Sequence, residues 1–182
     1  MCHRKTKILL TGYRATGKSL IGKEVARRLG FAFLDTDREI EKRAGKTIKS
    51  MVAEKGWPYF RALEKKLLDD LADRENMVVA SGGGAVMNHN SWQRLRRSAF
   101  TIWLSASAGT ICSRLAADSK SGDQRPSLTD KDVLEEVESV LHQRRTIYEE
   151  GSDLQISSEQ DVGTVVDKII EAWECCMSDN KF

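Results

Sequence analysis

The segment GYRATGKS, residues 12–19, constrains this chain more than any other stretch. It follows an apolar run at residues 8–10 and leads into a segment with helical periodicity, residues 18–29. The pattern G-x-x-x-x-G-K-[ST] between a strand and a helix predicts a phosphate-binding loop, because backbone N–H groups and the helix dipole converge there. A glycine-rich turn with a chance Lys-Ser is the alternative, and the flanking strand and helix disfavour it. We therefore expect nucleotide binding.

Each polar residue of this loop has an expected task. Lys18 is placed to reach the β- and γ-phosphates, and the hydroxyl of Ser19 is placed to bind Mg²⁺. The glycines permit close approach of the backbone to the ligand. The ATP contacts predicted within the loop are Gly12, Ala15, Thr16, Gly17, Lys18, Ser19 and Leu20.

Short apolar runs alternate with helical patterns along the chain. The predicted strands are residues 7–10, 31–34, 77–80, 100–104 and 154–156. The predicted helices are residues 18–29, 37–44, 47–55, 58–73, 90–97, 108–115, 131–149 and 162–173. This order predicts a doubly wound α/β fold with a five-stranded parallel sheet, in which ligands bind at the carboxyl ends of the strands.

The segment at residues 116–130 breaks this alternation. It is polar, contains Gly and Pro, and has no apolar period, so it is either a mobile lid or a disordered insertion. With 182 residues, 40% of them hydrophobic, the chain is long enough for one domain with a sizeable core. We expect a single domain spanning residues 1–182.

Composition argues against several classes of protein. The chain has 29 basic and 27 acidic residues in mixed order, without the basic stripe of a nucleic-acid-binding protein. It has no apolar segment of membrane length and no leader-like start, and its four cysteines lack zinc-site spacing. We expect a reduced, cytoplasmic protein, and a monomer.

Two carboxylates follow the second predicted strand, in Asp35-Thr36-Asp37. One is suited to the Mg²⁺ shell, and the other to accepting a proton or hydrogen bond from a substrate hydroxyl. Alternatively, Asp37 is the N-cap of the next helix, which would not exclude a catalytic role.

Three glycines, Gly82, Gly83 and Gly84, follow the third predicted strand. Without side chains, they allow a ligand to lie against bare backbone and its N–H groups. A flexible turn is the alternative.

Several arginines are candidates for binding anions. Arg61 has Glu64 one turn later to orient it, although the two also fit an ordinary surface ion pair. Arg144 extends an apolar helical stripe and so needs an anionic partner, whereas Arg145 points to a neighbouring, solvated face. Arg61 and Arg144 together suit a carboxylate. Arg125, in the polar segment, either stabilises phosphoryl charge on closure or is a solvated loop residue.

The series GYRATGKS, DTD, FRALE, SGGGAV, RPSL and RRTIY, in this order, resembles the shikimate kinase family across about residues 7–173. The resemblance implies a three-layer α/β P-loop fold with a mobile lid at residues 116–130 and a substrate-binding helical region at residues 37–73. It implies an enzyme that uses Mg²⁺ and moves the γ-phosphate of ATP to the 3-hydroxyl of shikimate, on the route to chorismate and aromatic amino acids.

The resemblance also implies a role for each matching residue. Asp37 is the candidate base, with Lys18 and Arg125 completing the catalytic set. Ser19 and Asp35 hold the metal, and Arg125 closes over ATP. Arg114 and the loop at residues 157–160 lie near adenine. The implied shikimate contacts are Asp37, Arg61, Gly82, Gly83, Gly84 and Arg144.

Some positions depart from the family pattern. Leu20 stands where the family usually has Thr, Ser127 replaces a Leu of the lid motif, and the stretch from Arg114 to Arg125 is longer than usual. The family's Arg-x-Pro-Leu-Tyr is here Arg144-Arg145-Thr-Ile-Tyr, which leaves either arginine as the clamp. Two rival functions remain: a kinase for another hydroxy acid such as gluconate, and a catalytically silent binding protein.

Overall fold

The fold is that of a computed structural model, which describes residues 4–117 and 133–179. Five strands form one sheet in the order β2-β3-β1-β4-β5, and every neighbouring pair is parallel. The strands are β1 (Lys7–Thr11), β2 (Ala32–Asp35), β3 (Met77–Ala80), β4 (Ala99–Ser105) and β5 (Leu154–Ser157). The predicted five-stranded parallel sheet is confirmed, and each strand ends within one residue of its predicted limits.

Helices connect the strands in sequence. Within the described ranges they are α1 (Lys18–Leu29), α2 (Thr36–Ala44), α3 (Ile48–Ala72), α4 (His89–Arg97), α5 (Ala108–Ala117), α6 (Val133–Glu150) and α7 (Val162–Asp179). A short 3₁₀ turn, Ala85–Met87, follows β3. None of these helices is both long enough and apolar enough to cross a membrane.

Helices cover both faces of the sheet, which explains why its central strands β1, β3 and β4 are almost entirely buried. All five residues of β1, the central strand, are buried. Leu9 belongs to the core formed with α3, α4 and α6, whereas Leu10 belongs to the core formed with α1 and α7. A third cluster packs Tyr13, which follows β1, against α5 and α6. Through these clusters, helices from both halves of the chain pack around β1 and hold its carboxyl end in place.

The break predicted between helices 47–55 and 58–73 is confirmed. Gly56, inside the span of α3, has non-helical dihedral angles, with φ 75° and ψ 170°, so α3 consists of two helical segments that meet at a kink. A glycine adopts this conformation without steric cost, and Pro58 lies in the first turn of the second segment, where its missing N–H costs no hydrogen bond. One helix prediction needs correction, because the last helix continues past its predicted end at 173, to Asp179.

The buried Lys7 of β1 has a role that its strand position did not suggest. Its Nζ donates to the carbonyl oxygens of Leu71 (3.0 Å) and Ala72 (2.6 Å) at the end of α3. The ammonium thus satisfies carbonyl groups that have no partner within the helix. Burial lowers the pKa of this lysine below its usual value.

The predicted lid lies almost wholly outside the described residues. Residues 116 and 117 belong to the end of α5, and the remaining positions, including Arg125 and Ser127, are not among those described.

Candidate active site

The phosphate loop joins β1 to α1 and requires its glycines. Gly12 has a φ of 135°, and a Cβ there would lie 2.3 Å from the carbonyl oxygen of Leu104. Gly17, the N-cap of α1, has a φ of 83°. A side chain at either position would be strained, so the glycines set both the path of the loop and its approach to α1.

Lys18 lies against the backbone of this loop. Its Nζ donates to the carbonyl oxygens of Gly12 (2.9 Å) and Tyr13 (2.6 Å), and the residue is buried. The ammonium is therefore positioned beside the loop and the N-terminus of α1, both of which attract anions.

Ser19 and Asp35 lie together beside the loop, because Ser19 Oγ donates a hydrogen bond to Asp35 Oδ2. Asp35 Oδ1 accepts from the backbone N–H groups of Asp37 (3.0 Å) and Arg38 (3.3 Å). Asp35 is therefore the N-cap of α2. The alternative in which Asp37 caps this helix is wrong: Asp37 lies within the first turn of α2, half-buried.

Thr36, between these two aspartates, is a site residue that sequence reasoning missed. It is fully buried, and its Oγ1 accepts a hydrogen bond of 2.8 Å from the N–H of Gly82. This bond joins the end of β2 to the glycine turn after β3, and so fixes the distance between the aspartates and the glycines. Its position between two site-like carboxylates was the available signal.

The glycine turn is buried and held from two sides. The carbonyl oxygen of Gly83 accepts hydrogen bonds from Arg144 Nη1 (3.0 Å) and Tyr148 Oη (2.6 Å) of α6. A Cβ on Gly83 would come within 3.3 Å of the Gly12 carbonyl oxygen and 3.4 Å of the Arg14 nitrogen. The turn therefore packs directly against the phosphate loop.

Arg61 reaches the same turn from α3. Its Nη1 lies 2.5 Å from Glu64 Oε2, which also accepts from Asn88 Nδ2 at 2.8 Å. Glu64 is 0% exposed, so the interpretation as an ordinary surface ion pair is wrong. A Cβ on Gly84 would lie only 2.3 Å from Arg61 Nη2, so the missing side chain is what lets the guanidinium lie against the turn.

The neighbouring arginines of α6 point in different directions. Arg144 is partly buried and contacts Gly83, whereas Arg145 is exposed and its Nε pairs with Glu149 at 2.8 Å. Arg61, on α3, and Arg144, on α6, thus contact adjacent glycines of the same turn, Gly84 and Gly83. Two guanidinium groups placed in this way can bind a carboxylate between them.

Another ion pair joins the phosphate loop to α6, and sequence reasoning missed it. Arg14 Nη2 lies 2.8 Å from Glu136 Oε1, which is also 3.5 Å from Tyr13 Oη. Glu136 is 1% exposed. Burial is the main cause that raises the pKa of the Tyr13 phenol. No local pattern pairs residues so far apart in the sequence.

Arg114 connects the phosphate loop to the loop after β5. Its Nη2 donates to the Ser158 carbonyl oxygen (2.6 Å), and its Nη1 lies 3.3 Å from the Ala15 carbonyl oxygen. Next to it, Glu159 accepts hydrogen bonds from Thr110, in the first turn of α5, and from Ser107, just before that helix, which lower its carboxyl pKa to about 2.

Leu20 is exposed at the start of α1, beside the phosphate loop, with 61% of its surface accessible. A leucine this exposed contributes little to the hydrophobic core, so core packing does not explain a leucine at this position. It lies in the first turn after Gly17, where the predicted nucleotide contacts are found.

Four features together define a P-loop kinase of small molecules. They are the parallel sheet, the phosphate loop, the Ser19–Asp35 pair and the glycine turn flanked by arginines. The family model for shikimate kinase matches residues 14–174. The chain therefore belongs to the shikimate kinase family, and the resemblance inferred from its motifs is confirmed.

Individual relatives agree with this assignment. The chain is 40% identical, over 90% of its length and 93% of the relative's, to shikimate kinase of Nitratidesulfovibrio vulgaris. It is 38% identical, over 92% of its length and 90% of the relative's, to the enzyme of Syntrophus aciditrophicus. A structure of the Acinetobacter baumannii shikimate kinase in complex with shikimate superposes with a TM-score of 0.87 at 27% identity, covering 98% of this chain and 96% of that one.

Proposed function

We propose that this chain transfers the γ-phosphate of ATP to the 3-hydroxyl of shikimate, giving shikimate 3-phosphate for chorismate and aromatic amino acid synthesis. The observation that carries the proposal is the pair of arginines, Arg61 and Arg144, on one glycine turn that itself packs against the phosphate loop. This arrangement brings a carboxylate-binding crevice next to a phosphate-binding loop. An acceptor with a carboxylate and a hydroxylated ring fits both.

ATP binds through the phosphate loop in this proposal. The loop N–H groups and the N-terminus of α1 accept the phosphates, and Lys18 exchanges its backbone carbonyl partners for phosphate oxygens. Phosphoryl transfer requires mainly positioning and charge stabilisation, so a fixed lysine supplies much of what the reaction needs. Arg125 adds positive charge over the transferred group in the same proposal.

Mg²⁺ fits between the loop and β2. The hydroxyl of Ser19 and the carboxylate of Asp35 are hard oxygen donors already within hydrogen-bonding distance of each other. When bound with ATP, Mg²⁺ neutralises developing charge on the phosphate oxygens. Ser19 would hold the ion, and Asp35 would help to hold it.

The acceptor occupies the crevice bordered by α2, α3 and the glycine turn. Its carboxylate is held by Arg61 and Arg144, and its ring lies along Gly82, Gly83 and Gly84. Asp37, in the first turn of α2, accepts the proton or hydrogen bond of the reacting hydroxyl. The oxygen of that hydroxyl is thereby directed at the γ-phosphate.

Other properties belong to the same proposal. The chain is one domain over residues 1–182, with a lid at residues 116–130 and a substrate-binding helical region at residues 37–73. It acts as a cytoplasmic monomer on shikimate and ATP, without nucleic-acid or membrane partners.

An ADP-release assay tests the activity. The purified protein with ATP, Mg²⁺ and shikimate should release ADP at a rate that depends on all three, and chelation of Mg²⁺ should abolish release. Gluconate in place of shikimate should give no release above background. The variant Lys18→Met, prepared identically, controls for contaminating kinases.

Faster turnover of gluconate than of shikimate would identify the rival kinase. ATP binding without turnover of either acceptor would identify a catalytically silent protein. Each result contradicts the proposal, and each is distinguishable from the other.

A further inference from the structure

The phosphate loop is joined to α6 by charged and apolar contacts together. Arg14 of the loop pairs with Glu136 at 2.8 Å, and 24% of the arginine side chain but only 1% of the glutamate is exposed. The neighbouring Tyr13 is buried against α5 and α6, with its hydroxyl 3.5 Å from the same glutamate oxygen. A carboxylate this deeply buried is costly without a cation, so the pair resists separation.

The same helix reaches the acceptor side of the crevice. Eight residues after Glu136, Arg144 donates to the carbonyl oxygen of Gly83, and Tyr148 donates to the same atom. Eight residues of α-helix correspond to about 12 Å along the axis. Arg144 and Tyr148 are four residues apart and therefore project from the same side of α6 towards Gly83.

The contacts close into a ring. Gly83 packs against the phosphate loop, since a Cβ on it would lie 3.3 Å from the Gly12 carbonyl oxygen and 3.4 Å from the Arg14 nitrogen. The loop therefore contacts α6 through Arg14, and α6 returns to the loop through Arg144 and Gly83. Close-packed elements connected in this way do not shift independently.

We propose that Arg14 and Glu136 are positioning residues that link nucleotide binding at the phosphate loop to the placement of Arg144 at the acceptor. The proposal rests on the proposed function, in which ATP occupies the loop and Arg144 holds the acceptor carboxylate. Phosphates bound at the loop fix its position, and the ion pair transmits that position to α6. Such linkage is reciprocal, so a nucleotide should tighten the acceptor and the acceptor should tighten the nucleotide.

Calorimetric titration tests this linkage without turnover. Shikimate is titrated into the protein with and without a saturating, non-hydrolysable ATP analogue and Mg²⁺, well below the melting temperature of each variant. For the unmodified chain we expect the analogue to lower the shikimate Kd by about fivefold or more. The ratio of the shikimate Kd without the analogue to the Kd with it measures the linkage. Arg14→Met and Glu136→Gln should each bring this ratio to within about twofold of one, and the double variant should match the single ones.

Matched controls separate linkage from general disturbance. Glu149→Gln removes an exposed carboxylate from an ion pair of the same helix, and Arg27→Met removes an exposed arginine from α1. Both should keep the ratio of the unmodified chain. A merely structural role for the Arg14–Glu136 pair would lower the melting temperature and leave the ratio unchanged.

The inference is overturned if the unmodified chain shows no effect of the analogue on shikimate, or if both variants keep the full effect. If Glu136→Gln does not fold, Arg14→Met alone decides, because that side chain is partly exposed. Failure of the proposed function is distinguishable, since the unmodified chain would then not phosphorylate shikimate at all.

Discussion

The carboxylate of Asp35 holds Ser19 and the first backbone N–H groups of α2, whereas Asp37 lies one step further, on the first turn of that helix. The two aspartates should therefore respond differently to substitution. We expect Asp37→Asn to lower kcat by about 10²–10⁴-fold with nearly unchanged ATP affinity and stability, because it loses a proton acceptor. Steady-state kinetics with calorimetric ATP titration measure this.

Asp35→Ala is the comparison for Asp37. It should lose about 0.5–2 kcal/mol of unfolding free energy, because the N-cap of α2 is removed, and it should need more Mg²⁺ for activity. Unchanged turnover of Asp37→Asn would contradict a catalytic role for that residue.

The two adjacent arginines of α6 give a second residue-level prediction. Arg144→Ala should raise the shikimate KM by the equivalent of about 1–3 kcal/mol, because a charge-assisted pair with the carboxylate is lost. Arg145→Ala should leave the KM near that of the unmodified chain, since its guanidinium pairs with Glu149 in solvent. The reverse result would identify Arg145 as the clamp. Initial-rate measurements at saturating ATP decide between them.

At the scale of elements, the contact between α3 and the glycine turn is open to test through Gly84. Its φ of −104° is accessible to alanine, but the added Cβ would displace the Arg61 guanidinium, 2.3 Å away. We expect Gly84→Ala to raise the shikimate KM about tenfold, equivalent to ~1.4 kcal/mol, with the ATP KM unchanged. Steady-state kinetics in both substrates measure this.

Gly109→Ala is the matched control, because a Cβ at this position in α5 meets nothing within 4 Å. It should keep both KM values and gain a few tenths of a kcal/mol in stability. Equal effects of the two substitutions would show that the Arg61 contact is unimportant for the acceptor.

The link between the loop after β5 and α5 should depend on pH. Hydrogen bonds from Thr110 and Ser107 hold the pKa of Glu159 at about 2, below its ordinary 4.5. A lowered carboxyl pKa stabilises the fold fully above the unfolded-state value, and this contribution is lost as the pH falls from 4.5 towards 2. Glu159→Gln should therefore lose stability less steeply than the unmodified chain over that range.

Urea unfolding at pH 7, 4.5 and 3 measures this difference. Glu171→Gln, on the exposed side of α7, is the control and should follow the unmodified chain. Parallel pH profiles for Glu159→Gln and the unmodified chain would contradict the assignment.

For the whole molecule, Lys7 joins the central strand to the end of α3. Its replacement by Met leaves the carbonyl groups of Leu71 and Ala72 without this buried donor. We expect Lys7→Met to cost about 1–3 kcal/mol in unfolding free energy, because two buried acceptors lose a charged donor and keep the bonds from the Arg74 backbone N–H and from Ser98 Oγ. Lys23→Met, at an exposed position of α1, should change stability by less than about 0.5 kcal/mol. Chemical denaturation of both variants provides the comparison.

The sequence predicted those features that depend on residues close together in the chain. Strand limits followed from short apolar runs between turn signals, and the phosphate loop followed from its glycine and lysine spacing. The break between two predicted helices lies at Gly56, because a glycine readily adopts non-helical dihedral angles. Asp35 rather than Asp37 proved to be the cap, since the helix begins one residue earlier than its pattern indicated.

Contacts between distant residues were not predictable in the same way. Arg14 and Glu136 are 122 positions apart, and Lys7 and Leu71 are 64 apart, so no periodic pattern relates them. The roles of Thr36 and Tyr148 depend on backbone atoms of the glycine turn, whose partners are set by the packing of the whole sheet. Tertiary structure alone brings these groups together.

The bond from Arg144 to the Gly83 carbonyl has a consequence for the entropy of binding. A guanidinium has five N–H groups, so one bond to the carbonyl leaves others for a ligand. A free arginine side chain carries about 2 kcal/mol of rotamer entropy, which an incoming acid would otherwise have to remove. Here the fold has restricted the side chain before any ligand arrives, so more of the attraction to a carboxylate is retained as affinity. A lysine at this position, with a single flexible ammonium, would lack that advantage.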